Sequence, residues 1–119
     1  MRRVVGIGGV FFKAEDPEKL YAWYEKHLGI RRQDGYVAFT ADDGITAWAI
    51  FKKESKSFAP SVSSLMINYR VENLDALLEA LRAEGVEIDP KREDHDYGKF
   101  AWIMDPEGNK VELWEPAKP

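Results

Sequence analysis

The chain has 119 residues, 45% apolar and 32% charged, with a formal net charge of −4 and no cysteine. That suits one soluble domain, and it excludes a disulfide framework, a thiol nucleophile and a thiolate metal site. The acidic balance argues against nucleic acid, whose phosphates need a basic face. No apolar run nears the roughly 20 residues of a membrane span, and Met1-Arg2-Arg3 leads straight into an apolar stretch, so no membrane partner and a cytoplasmic location are expected.

Residues 4–13, VVGIGGVFFK, predict a strand. Asp16-Pro17-Glu18 predicts a helix start, because aspartate caps well and proline's missing N–H is harmless in the first turn. Leu20, Trp23, Tyr24 and His27 follow at helical spacing, and Gly29 ends the helix. Short strands are predicted near Arg31–Arg32, Tyr36–Thr40 and Thr46–Lys52, separated by Asp34-Gly35 and Asp42-Asp43-Gly44. Residues 53–61, KESKSFAPS, read as a polar linker.

The order then repeats. Leu65–Val71 predicts a strand. Asn73 caps a helix carrying Leu74, Leu77, Leu78 and Leu81 at i, i+3, i+4 and i+7, and Gly85 ends it. Strands are predicted at Val86–Ile88, Phe100–Met104 and Lys110–Trp114. GVFFKAEDPEKL (9–20) matches MINYRVENLDAL (66–77): Val10 with Ile67, Phe12 with Tyr69, Lys13 with Arg70, and the caps Asp16 with Asn73. ADDGITAWAIFK (41–52) is set against DPEGNKVELWEP (105–116) by matching their glycines, which places Trp48 opposite Glu112. Two copies of one unit are the economical account. One domain over 1–119 then holds a first module (4–52), the linker (53–61) and a second module (62–116).

GGVFFKAEDPEKLYAWYEKHLGI, MINYRVENLDALLEALRAEGVEI and YGKFAWIMDPEGNKVELWEP resemble the vicinal oxygen chelate superfamily, the glyoxalase, bleomycin-resistance and extradiol-dioxygenase group. The resemblance covers nearly the whole chain. Its most specific motif is the DPxGN turn followed by a strand with glutamate third and a closing Trp-Glu-Pro. It implies an α+β fold of two tandem βαβββ modules, with curled mixed sheets around a cavity, helices on the outer face, and a homodimer. Metalloenzymes of the group take ligands from the first and last strand of each module. Those places here are Gly9, Trp48, Met66 and Glu112, of which only Glu112 offers a ligand atom suited to a hard divalent metal. A first-row metal needs about three protein ligands, so a divalent metal is disfavoured, no other cofactor is expected, and an extradiol dioxygenase is disfavoured.

Strand alternation assigns faces. Val10, Phe12, Ala47, Ala49, Ile67, Tyr69, Val111 and Leu113 are expected under the helices. Gly9, Phe11, Trp48, Ile50, Met66, Asn68, Glu112 and Trp114 are expected on the other face, with Tyr36, Ala38, Phe100 and Trp102. Phe11, Trp48, Met66, Asn68, Phe100, Trp102 and Trp114 would bind a small organic molecule around Glu112 as catalytic carboxylate. The same aromatic residues could instead fill a core. Glu112 itself reads as the remnant of a metal site, as a base or anchor, or as part of an unusual metal site. His27 suits a helix C-terminus and His95 a surface loop, and the carboxylate pairs Asp42-Asp43 and Glu93-Asp94 read as solvated turns. Three functions remain open: a glyoxalase-like lyase or isomerase or its catalytically drifted relative, a metal-independent drug- or metabolite-binding protein of the bleomycin-resistance type, and a structural or regulatory dimer whose cavity is vestigial.

Overall fold

A computed structural model describes residues 2–41 and 44–118; the Asp42-Asp43 pair lies outside them. The elements in chain order are β1 (Val4–Ala14), α1 (Pro17–Leu28), β2 (Val37–Ala41), β3 (Gly44–Lys52), β4 (Leu65–Val71), α2 (Leu74–Ala83), β5 (Glu87–His95), β6 (Gly98–Met104) and β7 (Lys110–Pro116).

Both helices start where their caps predict. The Asp16 carboxylate accepts from Lys19 N at 3.1 Å, and the Asn73 side chain accepts from Ala76 N at 3.0 Å, each satisfying a free donor of the first turn. Gly29 closes α1 in the left-handed conformation, at φ 69°. Glu115 on β7 accepts from Leu74 N at 2.7 Å and so ties the start of α2 to the last strand.

The strands form one open mixed sheet in the order β2-β3-β1-β4-β7-β6-β5. Each module pairs its first and last strands in parallel, β1 with β3 and β4 with β7. The modules join through antiparallel β1 and β4. The strand expected at Arg31–Arg32 does not form, so the first module supplies three strands and the second four. Arg32 instead turns back to Glu18, at 2.7 and 2.8 Å, and lies over the Tyr21 ring. β5 is longer than expected: it carries Glu93-Asp94 and ends at His95, so these residues belong to a strand rather than to a turn or loop.

Both helices cover the same sheet face. Under α2, Leu74, Leu77 and Leu78 pack with Val71, Ala101 and Leu113, joined by Tyr69 and Val111. Under α1, Tyr21 packs with Val37 and Ile50, joined by Phe12, Tyr24 and Trp48. Here the structure corrects the sequence reading. Trp48 and Ile50 lie under α1, with the Trp48 ring 5.0 to 6.0 Å from those of Phe12, Tyr21 and Tyr24. By alternation Ala47, Ala49 and Phe51 face the opposite side.

The pairing explains the shift. Phe11 is opposite Ala49 in the first module, and Asn68 is opposite Glu112 in the second. Phe11 and Asn68 correspond in the repeat, so Ala49, not Trp48, is the counterpart of Glu112. A one-residue slip moves a side chain to the other face of a sheet.

Candidate functional site

The helix-free face carries a third cluster. Phe58, Met66 and Trp102 are buried there, packed with Phe11, Phe51 and Phe100. Phe58 is fully buried although it sits in the polar linker. The connection between the modules therefore folds across one end of this face. An isolated aromatic in KESKSFAPS is the sequence signal that could have shown it.

Beside this cluster, near the middle of the sheet, sits Glu112. Its two oxygens are held by different donors. Asn68 Nδ2 donates to Oε2 at 2.5 Å, and Trp102 Nε1 donates to Oε1 at 3.0 Å. Strand pairing fixes both: Asn68 and Trp102 are the direct neighbours of Glu112 on β4 and β6. Burial pushes the Glu112 carboxyl above the ordinary carboxylate range, and the charge of Glu93 adds to the rise. The two hydrogen bonds and Lys110 oppose it without cancelling it.

The far side of Asn68 faces a bulge in β1, where the pairing with β4 skips Gly8. A Cβ on Gly8 would overlap Asn68 Oδ1 and come within 2.9 Å of the Trp114 ring. Only glycine lets β1 approach so closely. Asn68 Oδ1 and Trp114 Nε1 are buried without a hydrogen-bond partner among the described residues, an uncommon condition in a folded protein. Trp114 stacks on Phe100, with centroids 6.0 Å apart and planes 4° from parallel.

Of the residues singled out by sequence, the structure brings Glu112, Asn68, Phe11, Met66, Phe100, Trp102 and Trp114 to one face. Trp48 is not among them. Phe51, Phe58, Lys91, Glu93, Lys110 and Gly8 share that face or border it and were missed, Glu93 because its strand was read as a turn. Two hollows, of about 260 and 450 Å³, open instead at the helix edges, away from Glu112; the larger is rimmed by Glu15, Glu18, Lys52 and Glu54, ordinary solvated charge.

A divalent metal does not fit the residues at the family's ligand places. The Phe11 ring fills the space above Gly9, where a Cβ would lie 2.8 Å from it. Met66 is locked among Phe58 and Trp102. Ala49 has no donor, and both Glu112 oxygens already accept hydrogen bonds. Among the described residues, no three His, Cys, Asp or Glu side chains gather into a metal-holding group.

Residues 6–113 match the family model described as Glyoxalase/Bleomycin resistance protein/Dioxygenase superfamily. The chain belongs to this superfamily. Among solved structures, this member is similar to methylmalonyl-CoA epimerase from Mycobacterium tuberculosis (21% identity, 99% of this chain and 92% of that one, TM-score 0.72). It is also similar to Streptomyces coelicolor methylmalonyl-CoA epimerase in complex with 2-nitronate-propionyl-CoA (15% identity, 97% and 99%, TM-score 0.69). A third similar structure is the NAD-dependent benzaldehyde dehydrogenase from Legionella pneumophila (16% identity, 91% and 97%, TM-score 0.61). At these identities the likeness is one of fold. No curated protein matches the chain. No helix among the described residues is long and apolar enough to cross a membrane.

Proposed function

We propose that this superfamily member is a small-molecule enzyme of the lyase or isomerase type, with Glu112 moving a proton at a carbon next to a carbonyl. The observation that carries the reading is a carboxylate aimed by Asn68 and Trp102 beside an aromatic floor, with its proton affinity raised by burial. A base whose pKa is lifted toward neutrality is matched to proton transfer at that pH. The epimerase neighbours support the same class of chemistry. Phe11, Met66, Phe100, Trp102 and Trp114 would bind the apolar part of the substrate. The proposal includes a cytoplasmic homodimer that closes over the open face.

One observation favours a second reading. The parallel Phe100 and Trp114 rings offer a flat apolar platform, suited to stacking a planar drug or metabolite without chemistry.

The two readings separate in heavy water. The protein is incubated with a panel of thioesters, 2-hydroxy ketones and 2-oxo acids, and exchange of the carbon-bound hydrogen is followed by NMR. Wild type is expected to exchange at least one of them, and Glu112→Gln to lose about 10²–10⁴-fold of that rate. No exchange across the panel removes the enzyme reading, and exchange that survives in Glu112→Gln removes Glu112 as its base. Saturable tryptophan quenching by planar compounds without exchange would then support the binding protein.

A further inference from the structure

We propose that one end of the helix-free face is an anion subsite, in which Lys13, Lys91 and Lys110 hold the carboxylate or phosphate of the ligand. The inference rests on the reading of Glu112 as the reactive group of the same face, and it adds the class of ligand.

Lys110 carries the argument. It is 8% exposed, on β7 two residues before Glu112. Its ammonium donates to Ser57 O at 3.0 Å and lies 5.6 Å from the centre of the Trp102 ring. Among the described residues it has no carboxylate within ion-pair distance. Burying an ammonium costs several kcal/mol unless partners replace its water. One carbonyl and one aromatic face leave donor capacity unspent, because an ammonium has three N–H groups.

Two more cations border the same aromatic cluster. Lys91 on β5 lies 5.2 Å from the centre of that same indole, so the two ammoniums are within about 11 Å of each other. Lys13 at the end of β1 lies 5.1 Å from the centre of the Phe58 ring, which packs in one cluster with Trp102. Lys91 is partly neutralised by Glu93, at 3.0 Å. Lys13 has no such partner among the described residues.

The chain as a whole is acidic, at −4, yet three lysines gather over one aromatic floor. Aromatic faces hold cations in place without cancelling their charge. An anion bound there would complete the unspent donors of Lys110, and the carbon chain attached to it would run across Trp102 toward the Glu112 carboxylate, whose Oε1 accepts from that indole.

The simpler alternative is that Lys110 only clamps the linker through Ser57. Calorimetric titration at fixed ionic strength separates the two, with malonate, inorganic phosphate and uncharged malonamide as probes. Wild type is expected to bind malonate or phosphate saturably and malonamide not at all, and the tighter of the two anions identifies the acidic group. Lys91→Gln, at an exposed position, should weaken binding about tenfold, since a hydrogen bond to a charged group is worth roughly that much. Lys110→Met should abolish binding, and Lys110→Arg, which keeps the charge and the clamp, should retain most of it. Glu112→Gln should bind the anion as well as wild type or better, so failure of the proton-transfer reading leaves this test intact. Equal binding of malonamide, or anion affinities unchanged in both Lys91→Gln and Lys110→Met, overturns the subsite. If Lys110→Met does not fold, Lys91→Gln decides, and an unchanged anion affinity there overturns the subsite.

Discussion

The two modules share a plan and differ in what they place on it. In the first, β3 brings Ala49 to the helix-free face beside Phe11. In the second, β7 brings Glu112 to the equivalent place beside Asn68. The helices differ too. α2 buries three leucines, whereas α1 buries Tyr21 alone. Tyr21 acts as a polar anchor: its hydroxyl accepts from Ile50 N at 2.8 Å and donates to Gly35 O at 3.4 Å. Equivalent backbones thus set where a side chain points, while its identity decides whether that place holds chemistry or packing.

The largest expected effect tests this asymmetry in the cores. Leu74→Ala should cost about 2–5 kcal/mol in urea unfolding, because it opens a hole where a fully buried side chain packs. Tyr21→Phe should cost less, about 1–3 kcal/mol, because it leaves the buried Ile50 N–H without its acceptor. Equal costs would mean that the two helices are held alike.

A smaller effect concerns the junction of the modules. Gly8→Val should destabilise by about 1–3 kcal/mol, since the new side chain must displace Asn68 or Trp114. Leu65→Ala, at the half-exposed start of β4, should change stability by less than about 0.5 kcal/mol. A harmless Gly8→Val would show that β1 can retreat from the site.

The smallest effect is a pH slope belonging to the second module alone. Burial raises the Glu112 carboxyl, so the native state binds that proton more tightly than the unfolded chain does. Its contribution is complete below the unfolded value and is lost as pH rises through the raised native one. The stability of wild type relative to Glu112→Gln should therefore fall across that interval. A flat difference would place Glu112 in a solvated setting, and a rising one would mean that the Asn68 and Trp102 hydrogen bonds outweigh burial.

Much of this architecture was legible in the chain. Asp16-Pro17 and Asn73 marked the helix starts through the chemistry of capping, and the leucine spacing of α2 marked its buried face. Glu112 was found because a carboxylate among alternating apolar residues is hard to explain as surface. Trp48 was misplaced for a physical reason. In the second module Gly108 lies inside the turn between Met104 and Lys110, which pair across it. In the first, Gly44 already pairs with Ala41 across a shorter connection. Matching the two glycines therefore matched a turn residue to a strand residue. The missing strand at Arg31–Arg32 was hidden differently, because pairing of Arg32 with Glu18 and Tyr21 is a tertiary preference that two residues cannot announce.

Phe58 links the connection between the modules to the site. The segment that covalently tethers the two halves also roofs one end of the face they share, so tether length and site depth are a single variable. Lengthening or trimming that span would retune which guests fit without touching the strands beneath it. Module assembly and ligand choice could then be altered by the same insertion.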